Sequence, residues 1–235
     1  IVTAFILSLD SYNSTAHNEQ ESTRNRFQLV AQQQIAQLRQ RTDDLVSQAD
    51  LLQRHIALAP LVKEPGFEHF VAPILDLHPE ILRLGVIRVD RGKAHIAITA
   101  GRPELPAGSP FTATAGKAEI GTLIDAALRS SGSVASKPYA LPPGMGTKRN
   151  AILLLSPVIR PGAGTGEAPE LVFVEIAVDT LLRQALQPAI ERDENQRFEI
   201  ELLDATDEAR TLFSSAGFHI GELSYAEAIK VADRR

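Results

Sequence analysis

The chain of 235 residues has no cysteine, no tryptophan, a single methionine and only 5% aromatic residues. Without cysteine there is no disulfide, no thiol nucleophile and no thiolate metal ligand, and the absence suits a reducing cytoplasm or a bacterial periplasm equally. Basic clusters are missing as well. The formal net charge is -5 and the pI about 5.7, so no run of Lys and Arg is available to release counterions from a phosphate backbone, which argues against nucleic acid as a partner. The N-terminal apolar run "IVTAFILSL" is nine residues long, whereas a membrane-spanning helix needs about 20. It reads as the last turns of a transmembrane helix whose beginning lies upstream, or as the apolar start of an ordinary helix.

The signatures of catalysis and of metal binding are absent too. No G-x-S-x-G elbow occurs; Ser131 and Ser215 come nearest but lack the strand-to-helix turn that strains and exposes a nucleophile. Gly162, Gly164 and Gly166 in "RPGAGTGEAPE" resemble a phosphate loop only in their glycines. The stretch does not end in Lys-Ser/Thr and it opens a strand, where a phosphate loop opens a helix. "PPGMGTKR" likewise leads into the strand-like "NAILLL". The histidines His17, His55, His69, His78, His95 and His219 include no i, i+4 pair able to place two imidazoles on one metal. We therefore expect no catalytic residue, no metal, no cofactor and no enzymatic activity in this segment.

What remains is a folding composition, 44% hydrophobic and 23% charged, with clear organisation. Residues 16–59 contain neither Gly nor Pro and predict one long helix ending before Pro60. Ala31, Ile35, Leu38, Thr42, Leu45, Ala49, Leu52 and Ile56 recur in alternating steps of four and three. That 3.5-residue spacing suits a parallel dimer seam, with Ile35, Leu38, Leu45, Leu52 and Ile56 as its apolar members; it also suits a single helix lying on its own globular domain. Phe67, Phe70, Val71, Ile74 and Leu75 predict a short amphipathic helix closed by "HPE". Leu84 to Val89 and His95 to Ile98 predict a hairpin around "DRGK". A helix from Lys117 or Ala118 to about Arg129 follows. "SVASKPYAL", "AILLLSPVIR" and "ELVFVEIAV" read as strands, the middle one central and covered on both faces, and a helix begins on Asp179. "ERDENQR" reads as a solvated linker, and "FEIELLDAT", "ARTLFSSAG" and "EAIKVADRR" as three further strands. The fold class is α+β, an antiparallel sheet with helices on one side.

The serial order "F..F....L..HPEI..LGVIRV", "SVASKP", "LLLSPVIR", "LVFVEIAVDTLLRQAL" and "FEIELLDAT" after a long helix resembles the CHASE domain, the extracytoplasmic sensor module of histidine kinases and cyclases, over roughly residues 25–235. The resemblance implies a stalk helix followed by two PAS-like lobes. Residues 1–65 would be the membrane-proximal segment and stalk, 66–190 the distal ligand-binding lobe, and 191–235 linker and strands of the proximal lobe. It further implies a second transmembrane helix soon after Arg235, a signalling domain beyond it, a periplasmic location, and a homodimer joined through the stalk. In the plant cytokinin receptors of that family an aspartate before the helix holds an adenine; the corresponding loop here reads Thr112, Ala113, Thr114. An apolar pocket residue corresponds to Ala135, an aromatic one to Ser156, and a strand glycine falls at or next to Glu175. These departures imply a different and more polar small-molecule ligand.

Physical reasoning singles out Glu175, the only charge in "LVFVEIAV". A carboxylate in a buried strand must find a cation or hydrogen bonds. It could accept from a ligand amine or hydroxyl, sit on a solvent face, or pair with Arg88 or Lys137. Arg88 and Lys137 are themselves lone charges among strand-like residues and could meet a ligand carboxylate or reach water. Tyr139 and Phe111 could form an aromatic wall or simply join the core. The ligand-binding candidates are thus Arg88, Phe111, Thr112, Thr114, Ala135, Lys137, Tyr139, Ser156 and Glu175. The function expected is a small-molecule sensor relaying occupancy through the stalk; the alternative is an assembly domain dimerised by the helix.

Overall fold

The computed structural model describes residues 2–58, 64–101, 106–111, 117–141, 150–160, 168–190, 201–204 and 210–214. Helix α1 spans Val2–Leu58, unbroken because its sequence offers no proline, and no glycine, until Pro60. Helix α2 spans Glu64–Leu77, and strands β1 (Ile81–Asp90) and β2 (Lys93–Gly101) form the hairpin. Its turn places Arg91 at φ 48° and Gly92 at φ 77°. Two consecutive left-handed residues make the tight turn whose twist matches that of paired strands. Helix α3 (Lys117–Arg129), the short strands β3 (Val134–Ala135) and β4 (Tyr139–Ala140), the long strands β5 (Asn150–Pro157) and β6 (Glu170–Ala177), and helix α4 (Val178–Ile190) follow. Strands β7 (Glu201–Asp204) and β8 (Arg210–Ser214) pair with each other in a separate ribbon, and β8 touches α4. The third C-terminal strand, expected in "EAIKVADRR", lies outside the described residues.

The main sheet runs β2-β1-β6-β5-β3, with β4 also on β5. Every pairing is antiparallel. The last strand, β6, therefore sits between β1 and β5 at the centre, the PAS-like arrangement in which the chain closes its sheet from the inside. Both long central strands are buried almost throughout, as their unbroken Ile, Leu and Val runs predict.

Strand alternation sends neighbouring residues of β6 into two separate cores. Val172, Val174 and Ile176 face one side, where Leu84 and Val86 of β1, Leu154 of β5, and helices α1, α2 and α4 complete the packing. Leu171 and Phe173 face the other side with Ile87, Leu153, Leu155, Phe111 and helix α3. Helices thus cover both faces of the sheet, not one. The expectation failed because the α3 stripe Ile120, Ile124 and Ala127, spaced i, i+4, i+7, states that the helix must pack without saying on which face.

The regular stripe of α1 also finds a different partner from the one its spacing suggests. Leu38, Thr42, Leu45, Ala49, Leu52 and Ile56 are all buried, and the apolar ones belong to the core made with the chain's own sheet and α4. Over Leu38, Leu45, Leu52 and Ile56 the expected dimer seam is therefore occupied within the chain; Ile35, one turn earlier, is half-buried. A seam of this period fits any apolar surface of suitable shape, so spacing does not choose between a partner helix and the chain's own sheet. Each large side chain of the stripe contributes about 1.5–3 kcal/mol by burial. Thr42 enters the core satisfied, its hydroxyl donating to the Leu38 carbonyl at 2.8 Å.

Candidate functional site

Glu175 lies on the α3 face of β6, two residues beyond Phe173. It pairs across the backbone with Arg83 of β1 on one side and Leu153 of β5 on the other. Arg83 Nε donates to Glu175 Oε2 at 2.6 Å, and a terminal guanidinium nitrogen forms an ion pair with the same oxygen. Tyr139, carried to the spot by β4, donates its hydroxyl to the other oxygen, Oε1. The Arg83 side chain is 3% exposed and that of Glu175 1%, so the pair has left water almost completely. Burial pushes the Tyr139 phenol far above its usual range, the Glu175 charge and the hydrogen bond to it push further, and Arg83 pulls back only in part. Tyr139 therefore remains a neutral donor.

Apolar side chains enclose this polar trio. The Phe111 and Phe173 rings meet at 5.0 Å with their planes tilted by 57°, a favourable arrangement of aromatic quadrupoles. Gly85 makes room for the Phe173 ring: a Cβ there would stand 2.2 Å from the Ile98 carbonyl oxygen and 2.8 Å from Phe173 Cε1. Only glycine lets β2 and the ring approach β1 so closely.

The nine ligand-binding candidates divide by face. Glu175, Tyr139 and Phe111 share the α3 face. Ala135 packs with Leu154 toward α1, and Ser156 points the same way, its hydroxyl 2.6 Å from that of Ser133, which donates to Asp50 of α1 at 3.0 Å. Those two residues are separated from the trio by the sheet itself. Arg88 binds Glu170, with Nη2 to Oε1 at 2.7 Å and a side chain 46% exposed, and Arg160 takes the other Glu170 oxygen at 2.6 Å. Lys137 is exposed. The cation seen on Glu175 is therefore Arg83, while Arg88 belongs to Glu170. Thr112 and Thr114 lie outside the described residues. Arg83 was legible in principle, since it is a charge inside the strand-like "ILRLGVIRVD", but only the β1–β6 register distinguishes it from Arg88.

Polar contacts on the opposite face tie α1 to the sheet. Arg41 forks onto Glu80, Nε to Oε1 at 2.7 Å and Nη2 to Oε2 at 3.1 Å, and also donates to the Leu77 carbonyl at 3.1 Å. Glu80 is fully buried, and its backbone carbonyl accepts from Ala177 at 2.8 Å. Gln53 donates to the Pro157 carbonyl at 2.8 Å. His55 stacks on Phe70 of α2 with centroids 3.8 Å apart. Arg41 and Asp50 stand nine positions apart, or about 13–14 Å along the helix. Among the described residues no group of three or more His, Cys, Asp or Glu could hold a metal ion, and no helix is long and apolar enough to cross a membrane.

No protein-family model matches the chain, and no curated protein does. Solved structures do. The ligand-binding domain of a Pseudomonas aeruginosa amino-acid chemoreceptor in complex with GABA is 12% identical, with a TM-score of 0.49, over 72% of this chain and 66% of that one. The ligand-binding domain of a Campylobacter jejuni chemoreceptor in complex with L-valine is 18% identical, with a TM-score of 0.46, over 71% and 64%. The extracellular domain of a histidine kinase is 13% identical, with a TM-score of 0.45, over 77% and 66%. The chain spans just under two thirds of the length of these domains.

Proposed function

We propose that the chain is the small-molecule sensor module of a transmembrane signalling receptor of CHASE type, non-enzymatic in itself and extracytoplasmic, with a histidine kinase or a cyclic-dinucleotide enzyme as its output. The observation that carries the proposal is the trio Arg83–Glu175–Tyr139, buried at the centre of a sheet whose other face holds the long helix. A buried ion pair is a poor way to gain stability, because desolvation consumes most of the Coulombic gain. Buried ionisable groups with a strongly raised pKa, as Tyr139 has, collect where ligands bind. Residues 66–190 form the ligand lobe in this scheme, with α3 and the trio lining the site, and residues 191–235 belong to a second lobe nearer the membrane.

The connections support a relay through α1. Glu80, gripped by Arg41 of α1, precedes Arg83 by three positions on the same chain segment, and Ser133, bonded to Asp50 of α1, precedes Tyr139 by six. A ligand that prefers one arrangement of the trio thereby biases two anchors on the helix, and a shift of α1 carries the bias away from the lobe. Dimerisation would use surfaces of α1 other than its buried stripe. The test is a thermal-shift screen of small metabolites against wild type and Tyr139→Phe, followed by amide hydrogen exchange. Stabilising compounds should lose their effect in the variant and change exchange in α1 between Arg41 and Ile56. Compounds that act equally on both proteins would remove the site from the α3 face.

A further inference from the structure

One stretch of α1 is held less well than the rest. Residues 31–41, "AQQQIAQLRQR", carry five glutamines. Among the described residues Leu38 is the first of α1 to join a core, and from there to Ile56 the buried stripe is apolar apart from Thr42, whose hydroxyl is satisfied. The preceding turns differ. Phe27, Val30, Ala31, Gln34, Ile35 and Gln37 are half-buried, and the apolar ones belong to neither core. The side-chain oxygens of Gln34 and Gln37 are buried without a hydrogen-bond partner. Such an acceptor has lost its water and gained nothing in exchange, so it weakens the arrangement that buries it.

Helix geometry lets one movement free both. Gln34 and Gln37 stand about 60° apart around a helix of 3.6 residues per turn, and Gln33 and Gln40 lie about 40–60° further round on the side away from Gln34. Those two are exposed. A turn of the helix in that sense carries Gln37 to water first and Gln34 after it. Beyond this stretch Arg41 pins α1 to Glu80 and to the Leu77 carbonyl.

We propose that the turn of α1 carrying Gln34 and Gln37 is a swivel. The helix N-terminal to the Arg41 clamp alternates between an arrangement that buries both amide oxygens unmatched and a rotated one in which water bonds to them, while Leu45 to Ile56 keep their packing. The unmatched acceptors bring the two arrangements close enough in free energy for a small bias at the clamp to move the balance. Its use in signalling rests on the relay through α1 proposed above.

The chain has no cysteine, so single introduced thiols report the movement through their rate of labelling by a maleimide. Val30 lies on the edge that the rotation turns outward and Ile35 on the edge that it turns inward. Val30→Cys and Ile35→Cys are each compared with and without Gln34→Met/Gln37→Met, which keeps an unbranched side chain and helix propensity but removes both amides. Removing the unmatched acceptors should slow labelling of Val30→Cys by about tenfold or more and change that of Ile35→Cys by less than about threefold. The control Gln33→Met/Gln40→Met, on the exposed side, should leave both rates within about threefold. Unchanged labelling of Val30→Cys, or equal slowing by the control pair, would overturn the role of the two amides. Equal slowing at both thiols would mean local unfolding and overturn the rotation. No ligand enters the experiment, so its failure would remove the swivel and leave the sensor reading standing.

Discussion

The two faces of the sheet are built from the same three strands, yet they arrange their polar groups in opposite ways. Toward α1 the central rows are apolar except for Ser156, which stands opposite Val172: Val172, Val174 and Ile176 meet Leu154, Leu84 and Val86, and the other polar contacts stand around them, Arg41 on Glu80, Ser133 on Asp50, Gln53 on Pro157. Toward α3 the order is inverted, with an ion pair in the middle of the central strands and aromatic residues beside it. An apolar interior ringed by directional contacts holds a helix in one register. An apolar surround with a satisfied but costly polar centre stabilises little. The difference places more of the stabilising packing on the stalk side, and substitutions can separate the two faces.

The largest effect should come from breaking the ion pair on one side only. Arg83→Gln leaves a buried carboxylate without its cation and should cost about 3–5 kcal/mol in urea denaturation, whereas Arg83→Met combined with Glu175→Leu should fall within about 1 kcal/mol of wild type or exceed it. A double variant as damaged as the single would mean that the pair stabilises the fold after all, and the contrast between faces would weaken. Next, on the stalk side, Leu45→Ala should cost about 2–5 kcal/mol, since Leu45 is 1% exposed in the core. Leu51→Ala, on the outward side of the same helix at 51% exposure, should stay within about 0.5 kcal/mol. Equal losses at the two positions would contradict the packing of α1 on the sheet.

A smaller loss than at Arg83 or Leu45 is expected at Tyr139. Tyr139→Phe removes one charge-assisted hydrogen bond, a loss of about 1.5–3 kcal/mol at neutral pH. The pH dependence sharpens the test. The folded-state pKa of Tyr139 is raised, so the folded chain keeps the proton where the unfolded chain releases it. The contribution is fully present below the ordinary tyrosine value of about 10 and is lost as pH rises beyond it, by up to about 1.4 kcal/mol per pH unit. Wild type should therefore lose stability above pH 10 more steeply than Tyr139→Phe, and parallel curves would show that the phenol is not held as described.

Much of the architecture was readable in one dimension. The glycine- and proline-free stretch announced α1, the stripe Phe67, Phe70, Val71, Ile74 and Leu75 announced α2, "DRGK" announced a hairpin, and the unbroken apolar runs of β5 and β6 announced central strands. Glu175 stood out because a lone charge in such a run must be answered. These features are local: they follow from backbone preference, side-chain period and the cost of burying charge, each of which acts over a few residues.

What the chain alone left undecided is which surfaces meet. The α1 stripe could have faced a second copy and faces its own sheet. The sheet could have had one bare side and has none. Arg83 and Arg88 are both arginines in the same strand; the first answers Glu175 and the second Glu170 because the β1–β6 register sets them opposite those residues. Ala135 and Ser156 have neighbours in sequence that line the α3 face, and strand alternation turns both of them to the other side. Local pattern states that a face must be buried or a charge neutralised, while register and packing, which depend on residues almost a hundred positions apart, select the partner that does it.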